Sequence, residues 1–483
     1  MGFAPDFVAD ALSIPAQSPL RARLALLSPF TAVVSDSRGV VPGCLFVALR
    51  GDRVDGHTYI AEAVKAGATA VVCEPGRGTA AGFQFEVSDT LVAYRELAKK
   101  WRARFAQIPV VAVAGAVGKT TTKEMLSAAL LGKYARVLKT IGSQNGYVGI
   151  PMTLLALRPE HEAAVIEIGI DAVGAMARHL DAVQPTAAMV TAIAEEHLEN
   201  LHDLETVARE ECLALSVTAR SPGGFAAIRS DDLWVQKETR GLVAASTAKV
   251  VRFGFQTAEG STLPADVLGG LRQTVSGKPT LVVTTGSDRR EFQLLLPGLH
   301  NARNQLAAIV VARGLGLTDD EIERGFSQNF KTAPGRTEIS DLELEKKEVR
   351  FYRDYYNASP SSMAAALTLL LEGRDLERSH WACLGDMLEL GQSEERLHRA
   401  LADFIIGKPV EGVLLYGARM RWLLDELQRR NYVGQLFHFA SHAELAQSLR
   451  FLLKLHPTVR QSVLIKGSRG MKMEEVWKAI GEK

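Results

Sequence analysis

The chain has no long hydrophobic run. No stretch approaches the ~18 consecutive apolar residues of a membrane-spanning helix, so no span is expected. Cysteine is scarce: Cys44, Cys73, Cys212 and Cys383 are the only four in 483 residues. None stand at metal-ligand spacing, and four in so long a chain make no disulfide framework. They read as reduced thiols. The N-terminal "MGFAPDFVADALS" lacks a basic start followed by an apolar run, so it does not read as a secretory signal. An excess of one charge is also missing. Lys+Arg 56 against Asp+Glu 55 leaves +1, which gives no electrostatic case for nucleic acid or an anionic membrane. Internal repeats and low-complexity segments are absent. A cytoplasmic protein is the expectation.

What is present is an ordinary globular composition, 47% hydrophobic and 23% charged. At ~150 residues per domain, the length suggests about three domains. Residues 1–105 alternate apolar runs (Cys44–Leu49, Ala68–Cys73) with a helical pattern (Tyr59–Ala66), the mark of a small α/β unit. A polar helix over Thr90–Phe105 follows. Residues 106–332 alternate strands and helices, as in "AAVIEIG", "AAMVTAI" and "GGFAAIRSDD". Such alternation predicts a parallel sheet covered by helices. Within it, 250–297 reads as a hairpin-rich insertion or edge. After "TAPGR", residues 333–483 form a third α/β unit of Rossmann-like pattern, with a helix over Ser361–Glu372.

The chemistry concentrates at strand ends. "VVAVAGAVGKTTTKEML" runs from Val110 to Leu126. Gly115 and Gly118 let the backbone approach an anion, and N–H groups at the helix start point at it. Lys119 adds charge, and the Thr120 hydroxyl suits Mg²⁺, which takes oxygen ligands. The spacing is shorter than the usual phosphate loop. Taken alone it also fits a tight turn with a surface lysine. Glu167 and His197 end or follow apolar strands, where an open parallel sheet binds its ligands. His197 alone reads as a surface histidine. Asn301 and Asn304 fit either a base edge or helix caps.

Together these stretches resemble the Mur ligase family of ATP-dependent amide-forming enzymes, from about Ser35 to Trp477. "DSRGVVPGCLFVALRGDRVDGH" is similar to the segment holding a UDP group, which implies Ser37, Arg38, Phe46 and His57 as substrate contacts. "GAVGKTTTKEM" matches the family's phosphate loop, implicating Thr121 as well. "SQNGYVGIPMTLL" places Asn145 near the nucleotide. Glu167 and His197 fall on the family's magnesium ligands. Asn301 and Asn304 fall on its adenine-proximal helix, Arg336 on an arginine that reaches the phosphates, and Asp354 on a ribose contact. Asn357, a further substrate-contact candidate, lies near Asp354, while Lys466, Ser468 and Arg469 fall in "KGSRGMKMEEV", which with "GDMLELG" resembles loops that face the incoming amine. The resemblance implies three α/β domains with a central phosphate-loop ATPase. It implies ATP and Mg²⁺ as cofactors, with Lys119, His197, Arg336 and Glu211 in catalytic positions. It also implies a UDP-linked muropeptide and D-alanyl-D-alanine as small-molecule substrates of a monomer in peptidoglycan synthesis.

This sequence departs from the family pattern at several points. The lysine that the family carbamylates to hold a second Mg²⁺ is replaced by Glu211, and no lysine lies between Lys139 and Lys237. Glu is already a carboxylate on a shorter arm. It either replaces the carbamate or weakens the second metal site. Near the substrate, Asn145-Gly146-Tyr147, Asp171-Ala172-Val173 and Arg229-Ser230-Asp231 all differ from the usual residues. Three readings stay open: a muropeptide ligase, a Mur-type paralogue joining another carboxylate and amine, and a nucleotide-holding protein without turnover.

Overall fold

Short apolar runs bounded by glycine or acidic turns become the strands. The computed structural model describes residues 2–51, 54–79, 82–255, 265–273, 279–344, 346–372 and 378–481. The first sheet has four parallel strands in chain order: β1 (Val33–Val34), β2 (Leu45–Val47), β3 (Ala70–Cys73) and β4 (Phe83–Glu86). The expected helix runs over Ile60–Ala66 and ends at Gly67, whose φ of 116° belongs to the left-handed region that glycine enters freely.

The second sheet has nine strands. In chain order they are β5 (Val110–Ala114), β6 (Val137–Lys139), β7 (Ala163–Glu167), β8 (Ala187–Val190), β9 (Phe225–Arg229), β10 (Lys249–Phe255), β11 (Val267–Gln273), β12 (Pro279–Thr285) and β13 (Asp288–Gln293). Their spatial order is β13-β12-β11-β10-β9-β8-β5-β7-β6. Pairing is parallel from β6 to β11, and β11, β12 and β13 form an antiparallel edge. That edge is the hairpin-rich stretch expected from sequence; its residues 256–264 and 274–278 lie outside the described residues. Every residue of β5, β7 and β8 is buried, as strands covered by helices on both faces must be. The strand order reverses beside β5, so a crevice opens at its carboxyl end.

The third sheet runs β14 (Glu338–Leu344), β15 (Lys347–Arg353), β19 (Arg460–Lys466), β16 (Ser379–Gly385), β17 (Val410–Tyr416) and β18 (Gln435–Phe439). Only the β14–β15 pair is antiparallel. No helix among the described residues is long and apolar enough to cross a membrane.

The cores do not follow the sheets one to one. A single apolar cluster begins at Phe3, takes in β1, β2 and β4, and continues through Ile150, Ile166 and Leu215 to Val235. The helix Thr90–Ala103 supplies its centre. Trp101 is fully buried, lies 4.1 Å from the Phe3 ring centroid, and donates Nε1–H to the Leu157 carbonyl at 3.1 Å. The third sheet has two clusters of its own.

Candidate active site

The β5–helix turn is built for close approach. Gly115 and Gly118 have φ of 117° and 87°. A Cβ at Gly115 would lie 2.4 Å from Thr191 Oγ1, and one at Gly118 would lie 2.8 Å from Asn304 Oδ1. Glycine is therefore required twice, for conformation and for space. The helix Lys119–Leu130 starts there with its N–H groups facing the crevice. Lys119 Nζ is held by the Gly115 carbonyl, by the Ala116 carbonyl at 3.2 Å and by Glu196 Oε2 at 3.2 Å. Burial pulls the ammonium down, but Glu196, Glu211 and Glu167 more than offset it and its pKa is raised.

Glu211 lies beneath this loop. Its Oε2 accepts the Gly115 N–H at 2.7 Å, and its Oε1 stands 3.9 Å from Lys119 Nζ without a hydrogen-bond partner. The side chain is fully buried. Burial pushes its carboxyl well above the ordinary range, against the pull of Lys119. Glu211 does not line the cavity. Its neighbour Glu210 turns away and accepts the Gly174 N–H at 2.9 Å.

Beside the loop, Glu167 Oε1 accepts from the Thr120 hydroxyl at 3.0 Å and from Asn145 Nδ2 at 2.7 Å. Lys123, with no exposed side chain, reaches Glu167 Oε2 at 3.3 Å. Among the described residues no three His, Cys, Asp or Glu side chains converge as a ready metal set. Thr120 and Glu167 do converge, and Glu167 Oε2 lacks a hydrogen-bond partner. That pair offers the oxygen donors a magnesium ion takes. His197 is elsewhere engaged: its Nδ1 meets Glu389 Oε2 of the third domain at 2.6 Å. The Glu389 contact raises the His197 pKa against its burial.

The third domain faces the loop with cations. Arg336 lies over the Tyr356 ring at 4.2 Å and reaches Ser143 at 3.5 Å. Asp354 Oδ1 accepts the Thr337 N–H at 3.1 Å, and its Oδ2 pairs with buried Lys466 at 2.6 Å. Lys466 also donates to the Asn357 carbonyl at 3.0 Å. Arg469 N–H donates to Asn357 Oδ1 at 3.3 Å, and Ser468 bonds the Ala358 carbonyl and the Leu388 N–H. All of these open into one cavity of about 700 Å³ shared with Gly118, Lys119, Thr120 and Thr121.

Asn301 and Asn304 line the same cavity. Asn301 caps locally, donating to the Pro297 carbonyl at 2.8 Å, while Asn304 packs on Gly118. The four first-domain candidates do not line it. Phe46 is 1% exposed and packs with Cys44, Ala48 and Ile60; a contact with substrate expected there is a core residue instead, because the apolar strand turns that side chain inward. His57 is locked between Asp55 and the Glu74 N–H. Arg38 is exposed and paired with Asp36, beside Ser37. Sequence reading missed Glu196, Glu389 and the cavity-lining Arg303, which shares Asp231 with Arg229. Their roles depend on partners at least 72 residues away in sequence, and no local pattern marks them.

Comparison with known proteins follows the same three parts. Family models for the "Mur ligase family, catalytic domain", the "Mur ligase middle domain" and the "Mur ligase, glutamate ligase domain" match residues 29–123, 113–312 and 335–469. The UDP-N-acetylmuramoyl-tripeptide–D-alanyl-D-alanine ligase of Escherichia coli is 33% identical over 453 residues, covering 93% of this chain and 94% of that protein. A crystal structure of MurF from Acinetobacter baumannii superposes with a TM-score of 0.84 at 28% identity, covering 100% of this chain and 99% of the other. A second structure from that organism has a TM-score of 0.79 at 27% identity, with the same coverage. It is of UDP-N-acetylmuramoylalanyl-D-glutamyl-2,6-diaminopimelate–D-alanyl-D-alanyl ligase.

Proposed function

The chain belongs to the Mur ligase family, and from that premise we infer that it joins D-alanyl-D-alanine to a UDP-N-acetylmuramoyl-tripeptide at the expense of ATP. The observation that carries this reading is the shared cavity. The loop of the second domain and the Arg336–Asp354–Lys466 group of the third open into the same space, so a nucleotide held by one is in reach of the other. Soluble nucleotide substrates support a cytoplasmic site of action.

The reaction divides into two steps. The terminal carboxylate of the tripeptide attacks the γ-phosphorus, ADP leaves, and an acyl phosphate forms. The amine of D-alanyl-D-alanine then attacks the acyl carbon. The C–O bond to phosphate breaks, phosphate leaves, the nitrogen gives up a proton, and an amide remains. Positioning and charge neutralisation do most of the work in phosphoryl transfer.

Each side chain has a part in that scheme. Lys119 rests on two carbonyls and Glu196; phosphate oxygens take their place when nucleotide seats. Arg336 brings a second cation from the third domain. Asp354, fixed by Lys466 and the Thr337 N–H, presents a carboxylate to ribose hydroxyls. Asn304 marks the nucleotide's path beside Gly118. Thr120 and Glu167, backed by Asn145 and Lys123, would hold a magnesium ion, which supplies further charge neutralisation at the phosphates when bound. Closure of the third domain excludes water, which would hydrolyse the acyl phosphate.

Glu211 stands where the family resemblance places a carbamylated lysine, but its shorter arm keeps the carboxylate beneath the loop, where it holds the Gly115 N–H and faces Lys119 rather than the cavity. Its buried position and its contacts with Gly115 and Lys119 support a role in holding the loop. Turnover is then indifferent to added bicarbonate, and Glu211→Ala loses most activity. Full activity in Glu211→Ala would sink this assignment.

The test of the reaction is phosphate release with ATP and Mg²⁺. Release that needs both UDP-N-acetylmuramoyl-tripeptide and D-alanyl-D-alanine is expected, with a product of their summed mass less water. Release that ignores the dipeptide but follows another amine would favour the paralogue reading.

A further inference from the structure

Two cations without a counter-charge lie at the seam between the first and second domains. Arg95, on the helix Thr90–Ala103, and Arg178, on the helix Ala175–Val183, both lie over the Tyr147 ring. Their guanidinium carbons are 5.4 and 5.3 Å from its centroid. Arg178 donates to the Tyr147 hydroxyl at 2.5 Å, and Arg95 donates to the Arg178 carbonyl at 2.9 Å. Among the described residues neither guanidinium has a carboxylate within ion-pair distance. The acids on the same two helices do not fill this role: Asp181 is bonded to Lys99, and Glu96 also acts on Lys99.

Glu210 accepts the Gly174 N–H at the start of the Arg178 helix, but among the described residues it forms no ion pair with either guanidinium. His179, 2% exposed, packs against Tyr147 at 4.8 Å and leaves its Nε2 without a partner. Stacking on an aromatic face stabilises each guanidinium modestly, but it cannot cancel the repulsion between two like charges. Some exposed arginines of this chain pair with carboxylates, as Arg38 does with Asp36, and others only stack on rings, as Arg104 does on Phe7 and Trp101. Among the described residues Arg95 and Arg178 have no carboxylate partner.

The location says what the partner is. Tyr147 directly follows Asn145 and Gly146, which line the phosphate cavity. On the other side, Arg95 lies on the helix Thr90–Ala103, which directly follows β4 of the first domain. A long substrate anchored in the first domain passes this seam before its reacting end reaches the cavity. We propose that Arg95 and Arg178, on the platform of Tyr147, bind a carboxylate of the donor peptide other than the one being activated. The guanidinium fork matches a carboxylate in two-point geometry. This proposal rests on the function inferred above. Two sources share the chemistry: a glutamyl carboxylate, and the second carboxylate of a diaminopimelate-type third residue.

Three donors separate them: UDP-N-acetylmuramoyl-tripeptide with diaminopimelate, the same with lysine (one carboxylate fewer), and the first with its glutamyl carboxylate amidated. Binding of each is measured by calorimetry with a non-hydrolysable ATP analogue and Mg²⁺, on the wild-type chain, R178Q and R95Q/R178Q. In the wild type, loss of the carboxylate read here weakens binding about 10-fold, and which donor shows the loss identifies the source. In R95Q/R178Q all three donors bind with the same weak affinity, while affinity for the ATP analogue is unchanged. Equal binding of all three donors by the wild type, or discrimination that persists in both variants, overturns the proposal. Turnover by the wild type without discrimination overturns it alone; no binding and no turnover with any donor overturns the inferred function with it.

Discussion

The two seams of this molecule are built from opposite materials. Between the first and second domains the seam is a core. Phe3, Trp101 and Leu157 belong to one apolar cluster with β5 and β7. Arg102, 2% exposed, crosses it to donate to the Val183 and Gln184 carbonyls at 3.0 Å each. Between the second and third domains the seam is mostly polar. Among the described residues it includes the His197–Glu389 pair, the Arg336–Ser143 contact, the close approach of Gly391 to Glu199, and apolar Leu198 set against the third-domain core. Buried apolar area resists separation, whereas exposed polar contacts exchange readily with water. The difference assigns rigidity to the first seam and motion to the second. We propose that substrate is gripped by the fixed pair of domains and sealed by the movable one.

Breaking the first seam should cost the most. Trp101→Ala removes the largest side chain from the shared core and leaves the Leu157 carbonyl without its donor. A loss of roughly 3–5 kcal/mol in unfolding free energy is expected, with the first and second domains melting together. Separate transitions for the two domains in calorimetry would contradict a shared core.

The second seam should show the reverse pattern. Lys119→Ala is expected to reduce kcat by roughly 10²–10³-fold with little change in melting temperature. A variant that instead melts early while retaining kcat would place Lys119 in the architecture rather than the chemistry.

Arg102→Met tests whether the polar element of the first seam is structural. The Val183, Gln184 and Phe105 carbonyls lose their donor, so roughly 1–3 kcal/mol of stability should go, with KM for ATP unchanged. The smallest effect belongs to Glu389→Ala. Glu389 is more than half exposed, so the pair with His197 contributes at most about 1 kcal/mol. A fewfold drop in kcat/KM is expected, together with weaker nucleotide-dependent compaction in small-angle scattering. Unchanged compaction would remove this pair from the closing motion.

The sequence made local features readable and left long-range ones hidden. The strand–turn–helix around Gly115 is legible because spacing and residue type alone define it, and β3, β7 and β8 fall within the expected apolar runs. The break placed after residue 105 follows the change of sheet but not the core, since nothing in the local pattern says that Trp101 packs against Leu157. Phe46 fell inside a motif of charged and glycine residues, and only the pleat of β2 shows that it points inward. Glu211 was legible as a substitution. Its place beneath the loop was not, because a shorter arm brings the carboxylate to the Gly115 N–H instead of the cavity. The Arg95–Tyr147–Arg178 group joins residues up to 83 apart in sequence, so only the folded chain assembles it.

The most direct test of the central claim is an oxygen-transfer experiment. The donor carries ¹⁸O in both oxygens of its terminal carboxylate and reacts with ATP and D-alanyl-D-alanine. An acyl phosphate predicts one ¹⁸O in each phosphate released and the other in the new amide carbonyl. Phosphate free of ¹⁸O alongside ligated product would contradict the account.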